Sequence, residues 1–179
     1  MKHIMIDIET MGTKPGAIIL SVAAVEFDLS TGKTGLVFHQ TIDPESSQKA
    51  GMKLDFDTVV WWIKQGKEAQ KVIVENTGNK LEKVLTKLAD WIKDYCDENV
   101  YVWGNSARFD LGLLQAAYEV FEMDIPWNHY NELDVRTIAS FGREIKDNMA
   151  FEGVKHNPLD DCYHQIKYCS EIYKQKIKA

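Results

Sequence analysis

Asp7 and Glu9, separated by one residue inside an apolar stretch, are the first pair in this sequence whose types and spacing could do chemistry. Residues 3 to 9 alternate with the period of a strand: Ile4, Ile6 and Ile8 on one side, His3, Met5, Asp7 and Glu9 on the other. Both carboxylates therefore face the same way. Two acids on one face of a buried strand repel each other, and they stay ionised only beside a compensating positive charge or by sharing a proton. A divalent cation is the natural solution. The spacing by itself is weak, because 27 Asp and Glu in 179 residues give about one such match by chance. Asp43-Pro44-Glu45 repeats it in a proline turn, where a solvated pair is expected. The hydrophobic strand around Asp7 and Glu9 sets them apart.

Two further clusters could join them. Asp110 follows Trp103-Gly104-Asn105-Ser106-Ala107-Arg108-Phe109 at the start of an expected helix, where an acid also serves as an N-cap or first-turn partner of the helix dipole. His156-Asn157-Pro158-Leu159-Asp160-Asp161 opens the last expected helix. His156 stands five positions before Asp161, so a loop imidazole and a first-turn carboxylate can face one site. The interval does not select the base by itself, since His129 precedes Asp134 by the same number of residues. Asp160 likewise competes with Asp161, and a shift of one helical residue would exchange them. Trp61 and Trp62 are neighbours on a short helix and point in different directions, so at most one belongs fully in the core. Either packs there or stacks on a base. Gln65 is a candidate for a sugar or base contact. Arg108 and Arg136 are candidates for phosphate contacts, with surface ion pairs as the competing role.

The elements that must position these residues are visible in the pattern. A strand over residues 3 to 9, a second over Ala17 to Asp28 and a third over Leu36 to Ile42 form an antiparallel meander, with turns at residues 11 to 16 and at Thr31-Gly32-Lys33. Asp57 is a plausible N-cap for a helix over Thr58 to Gln65 stopped by Gly66, and another helix starts from Lys67. Leu81, Val84, Leu85, Leu88, Trp91, Ile92 and Tyr95 mark an amphipathic helix over Lys80 to Tyr95. Val100 to Trp103 reads as a short strand and Asp110 to Phe121 as the helix after it, an α/β crossover. Leu133 to Phe141 is expected to be helical, residues 142 to 154 irregular, and Pro158 to Lys176 a final helix burying Leu159, Cys162, Tyr163, Ile166, Cys169 and Tyr173.

Composition bounds the remainder. The chain is 45% hydrophobic and 27% charged, an ordinary globular balance that predicts one compact domain over residues 1–179. No apolar run approaches the roughly 20 residues of a membrane span. Asp7 and Glu9 come too early for the core of a signal peptide. Cys96, Cys162 and Cys169 show no C-x-x-C spacing and read as reduced core thiols, so the cytoplasm is the expected location. A net charge of −6 argues against a polycation gripping phosphates. It leaves open a polyanion met through cations held on carboxylates.

Taken in order, Asp-x-Glu on the first strand, an Asp after a central strand and His-x4-Asp at a late helix resemble the DnaQ-like 3′→5′ exonucleases of the DEDDh group. Residues 6 to 12, Val60-Trp61-Trp62 with Gln65, Phe109-Asp110 and Leu133-Asp134-Val135-Arg136-Thr137 look like the branch containing RNase AS and the phage DNA exonuclease A. The likeness runs from Asp7 to Asp161. It implies an α/β, RNase H-like mixed sheet, an antiparallel N-terminal meander plus parallel strands, flanked by helices. It further implies Asp7, Glu9, Asp110 and Asp161 as ligands of two Mg²⁺ or Mn²⁺ ions, and His156, rather than His129, as the general base. Family order selects Asp161 over Asp160. Pro158 departs from the small residue usual at its position, and a first helical turn accepts it. The implied activity is metal-dependent removal of nucleoside 5′-monophosphates from the 3′ end of single-stranded or overhanging RNA or DNA. A homodimer is possible within such a family. Two rival readings are a catalytically silent nucleic-acid-binding adaptor of the same fold and a phosphodiesterase acting on small oligonucleotides.

Overall fold

The computed structural model describes residues 3–75, 77–95 and 99–178. The apolar alternation of the N-terminal segment becomes β1 (His3–Thr10), the central partner of a five-stranded sheet ordered β3-β2-β1-β4-β5. β2 (Ile19–Phe27) and β3 (Thr34–Thr41) pair antiparallel with β1 and β2 in turn, forming the expected meander. Its second turn requires Gly32, at φ +77°, a backbone region in which a Cβ is strained. β4 (Tyr101–Gly104) and β5 (Glu132–Asp134) add parallel strands on the other side of β1. This is the mixed, helix-flanked RNase H-like sheet that the resemblance implied.

Because side chains alternate along a strand, the sheet feeds two apolar clusters. On one face Ile4, Ile6, Ile8, Val22 and Ala24 meet α4 (Leu81–Tyr95) and α5 (Ala107–Val120), where Leu81, Leu85, Leu88, Leu114 and Tyr118 are buried. The Tyr118 hydroxyl donates to the Leu85 carbonyl at 2.9 Å and ties the two helices together. On the other face Met5, Ala23, Val25 and Trp103 meet α6 (Val135–Ser140) and α8 (Pro158–Ile172) through Val135, Cys162, Ile166 and Cys169.

Between β3 and α4 lie α1 (Pro44–Lys49), α2 (Phe56–Ile63) and α3 (Lys67–Val74). α2 starts two residues earlier than expected and its N-cap is Asp55 rather than Asp57. The Asp55 backbone, whose carbonyl accepts from the N–H groups of Thr58 and Val59, sets that start. α5 begins at Ala107, three residues before the expected Asp110. Leu133 and Asp134, expected in a helix, belong to β5, because parallel pairing of Trp103 with Leu133 and Gly104 with Asp134 claims them first. Within the segment expected to be irregular, Arg143–Asn148 forms α7. The final helix keeps α-geometry to Ile172 and then loosens into a π turn over Tyr173–Ile177. Asp43 of the proline turn N-caps α1 by accepting from the Glu45 N–H at 3.0 Å. The expectations for the side chains of Tyr95 and Cys96 lie outside the described residues. No helix among the described residues is long and apolar enough to cross a membrane.

Candidate active site

The carboxyl ends of β1 and β4 and the amino ends of α2, α5 and α8 meet around one cavity of about 880 Å³. Asp7, Glu9, Asp110, His156 and Asp161 all line it, from segments as far apart in sequence as the two ends of the chain. Asp7 and Glu9 point the same way, as alternation demands, and a β-bulge follows Glu9 in the pairing with β2. Bulges of this kind bend a strand and re-aim its end. Asp110 enters one turn into α5, where its Oδ2 accepts from the Ser106 N–H at 3.1 Å. Gly104 makes this approach possible: a Cβ there would stand 3.0 Å from Asp110 Oδ2.

The start of α8 is capped by Asn157, whose Oδ1 accepts from the N–H groups of Leu159 and Asp160, with Pro158 as the first helical residue. The two acids that follow diverge. Asp161 Oδ2 accepts from the His156 N–H at 2.9 Å and faces the cavity, while Asp160 Oδ2 accepts from the Val154 N–H at 2.8 Å outside it. His156 has a left-handed backbone, φ 65°, a conformation that costs free energy in any residue with a Cβ and is concentrated at functional sites. Glu9, His156 and Asp161 each offer a ligand atom within 4.8 Å of the others.

These acids are buried: Asp7 and Glu9 are 8% exposed and Asp110 is 2% exposed. Burial, then the charges of Asp110, Glu9 and Asp161, hold the Asp7 carboxyl well above the usual carboxylate range. Burial together with Asp161 and Asp110 pushes Glu9 up to about 9. Burial lifts Asp110 to about 7 against the opposing hydrogen bonds from the Ser106 and Ile8 backbone, and lifts Asp161 to about 6 against that from His156. Burial and the nearby Lys155 lower the pKa of His156, favouring the neutral imidazole. Four mutually repelling acids in a low-dielectric pocket form a hard, oxygen-rich donor set that fits Mg²⁺ or Mn²⁺.

The remaining candidates separate cleanly. Trp61 lines the cavity with its ring edge-on to His156, centroids 4.8 Å apart. Trp62 is 1% exposed, donates its Nε1–H to the Thr10 carbonyl at 2.9 Å and belongs to the core. Gln65 turns back on its own helix, donating to the Trp61 carbonyl at 3.0 Å, and lies outside the cavity lining. Arg136 lines the cavity; Arg108, exposed one position into α5, does not. The competing pair is explained by other duties. Asp134 Oδ1 caps α6 through the Thr137 N–H and its Oδ2 accepts from the Ala107 N–H, while His129 packs on Tyr130. Lining residues that the sequence did not single out include Thr13, Lys14, Asp55 and Gln165, and Asp57, expected only as an N-cap, lines it too. Only Gln165 carried a usable signal, a polar residue on the buried stripe of the last helix one turn after Asp161.

The family model of the 3′-5′ exoribonuclease Rv2179c-like domain matches residues 2–173. Among solved structures, the nuclease domain of 3′hExo, a DEDDh family member, bound to rAMP is 14% identical with a TM-score of 0.67, the match covering 97% of this chain and 92% of that one. Exonuclease I is 16% identical with a TM-score of 0.70, and the match covers 99% of this chain and 41% of that one, so this chain spans about two fifths of its length. Cell-death related nuclease 4 is 14% identical with a TM-score of 0.62, covering 95% of this chain and 62% of that one. No curated protein matches the chain.

Proposed function

The chain belongs to the Rv2179c-like 3′-5′ exoribonuclease family and is a 3′-5′ exonuclease; from that premise we propose that it trims single-stranded or overhanging RNA 3′ ends to nucleoside 5′-monophosphates. In this reading Asp7, Glu9, Asp110 and Asp161 hold two Mg²⁺ or Mn²⁺ ions and His156 is the general base. The convergence of these five side chains on one cavity carries the proposal. Bound divalent cations at such a site acidify a water and offset the negative charge that develops on the phosphate.

The chain's own residues supply the rest. A neutral imidazole accepts a proton, and burial keeps His156 in that form at neutral pH. Trp61 packs edge-on against the imidazole, and the backbone N–H of His156 ties the main chain of that residue to the Asp161 carboxylate. Arg136 and Lys14 line the same cavity and offer donors to phosphate oxygens. The cavity volume lies within the range of pockets that enclose a small ligand, enough for a terminal nucleotide. RNA is preferred here on the family's name, and DNA is the alternative substrate that the assay must include.

The test follows stepwise shortening of 5′-labelled RNA and DNA strands of one sequence in Mn²⁺ and in EDTA. Wild type shortens RNA stepwise from its 3′ end only with metal. His156→Ala slows that reaction by about 10²- to 10⁴-fold, the usual contribution of a general base. Equal rates for wild type and His156→Ala would remove the histidine from this role, and faster shortening of DNA would overturn the substrate assignment.

A further inference from the structure

On α8, one turn beyond Asp161, Gln165 is 4% exposed and donates its Nε2–H to Asp7 Oδ1 at 2.8 Å. Strand register sets this contact up. Asp7 stands opposite Ala23 of β2, whose methyl leaves space above the sheet for a long side chain coming down from the helix. Around it the same helix docks through apolar or sulfur contacts, Ile166 and Cys169 in the cluster and the Cys162 thiol against the Met5 carbonyl at 3.5 Å.

A buried amide in that setting is expensive. The Oε1 of Gln165 is buried without a hydrogen-bond partner, a situation that costs on the order of 1–3 kcal/mol. If packing were the only requirement, an apolar side chain of similar volume would serve better. The bond to Asp7 is what Gln165 gains in exchange. It also completes a pattern: Asp110 is held by the Ser106 N–H, Asp161 by the His156 N–H, and Asp7 by Gln165.

We propose that Gln165 is the positioning residue for Asp7: its amide N–H fixes one carboxylate oxygen and leaves the other for a divalent cation. The inference rests on the metal-binding reading of the site given above. α8 thereby sets two of the four acids at once, Asp161 directly and Asp7 through the residue one turn later. Gln165 touches neither substrate nor reacting atoms in this role.

The test is calorimetric titration of Mn²⁺ alone into wild type, Gln165→Met and Ser170→Ala, without nucleotide. Ser170 shares the helix, is 1% exposed and also has a partnerless buried hydroxyl, so it controls for loss of a buried polar group. Removing an outer hydrogen bond of this kind weakens metal affinity by about 10- to 100-fold, and that loss is expected for Gln165→Met but not for Ser170→Ala. Saturating Mn²⁺ is expected to restore turnover of Gln165→Met with the KM for RNA unchanged. Thermal midpoints in EDTA establish that each variant folds, and Gln165→Ala, which only removes atoms, must reproduce the loss if the methionine does not pack. Wild-type affinity in a folded Gln165→Met or Gln165→Ala overturns the proposal while leaving the site's function intact. A wild type that binds no Mn²⁺ overturns both.

Discussion

The two faces of β1 share one backbone and nearly complete burial, yet they do opposite work. Ile4, Ile6 and Ile8 face a wholly apolar cluster under α4 and α5. Burial of each such side chain stabilises the fold by about 1.5–3 kcal/mol. On the other face Met5 joins the core under α8 and His3 packs on Phe27 and Trp103 of the same cluster; Asp7 and Glu9 face the cavity beyond the first turn of that helix. Their burial raises the pKa of both, which is to say that the fold resists their charge. One face is therefore a stability element, and the other, in the proposed reading, is a binding element whose cost the first offsets.

The sharpest way to break this contrast is to change one residue on each face. Asp7→Asn keeps the shape and an acceptor for Gln165 but removes the charge. If Asp7 is a cation ligand, several kcal/mol of transition-state stabilisation go with it, and activity falls by about 10³-fold or more. In EDTA its thermal midpoint is expected to equal or exceed that of wild type, because a repelled buried carboxylate is gone. Ile6→Ala, one residue away, is expected to cost about 2–5 kcal/mol of stability while the folded fraction keeps its turnover. A large loss of metal-free stability in Asp7→Asn, measured by denaturant unfolding, would erase the distinction between the faces.

The binding face also gives stability a pH dependence. Glu9 has a folded pKa of about 9, against an unfolded value near 4.3. Between those values the folded chain holds a proton that the unfolded chain has lost, so stability falls as pH rises. It is full below the unfolded pKa and is lost through the folded one. Between about pH 7 and 8.5 His3, His39, His156 and His164, whose pKa values burial lowers, are largely neutral in both states. The thermal midpoint in EDTA should drop by roughly 3 °C or more across that interval. Glu9→Gln should flatten the slope, and Mn²⁺, which favours the ionised acids, should reduce it in wild type. A slope unchanged by Glu9→Gln would mean that Asp7, Asp110 or the buried thiols, rather than Glu9, set it.

How much of this was legible in the sequence follows from the range over which each signal acts. Strand alternation and the helical stripe from Leu81 to Ile92 are local, and they placed the meander, α4 and the shared direction of Asp7 and Glu9 correctly. Leu133 and Asp134 were misplaced because β5 exists through pairing with β4, a partner some thirty residues away that no local period reports. The same limit applies to Trp61 and Trp62. Adjacency shows that they diverge, but the Thr10 carbonyl decides which one is buried. Arg108 and Arg136 are equivalent as residues and differ only in which helix end meets the cavity. The convergence of the five proposed site residues was legible only as an ordered pattern resembling a known group, since spacing alone left His129 and Asp160 in contention.

That last ambiguity offers the finest comparison, between two neighbouring acids on α8. Asp161 turns into the cavity beside His156 and Glu9, and Asp160 turns away to hold the Val154 N–H. The bond matters to the loop, because Gly153 at φ +100° passes so close to Asp160 that a Cβ there would collide with its carboxylate. Asp160→Asn keeps the size and an acceptor oxygen while giving up the charge, which reduces the strength of a charge-assisted bond without abolishing it. The expected effect is a loss of stability of about 1 kcal/mol, with Mn²⁺ affinity unchanged and turnover within a few-fold of wild type. The matching Asp161→Asn change should weaken Mn²⁺ binding severely and leave the metal-free midpoint nearly intact. If the two substitutions exchanged these outcomes, the first turn of α8 would be rotated in solution by one residue, and Asp160 would be the ligand.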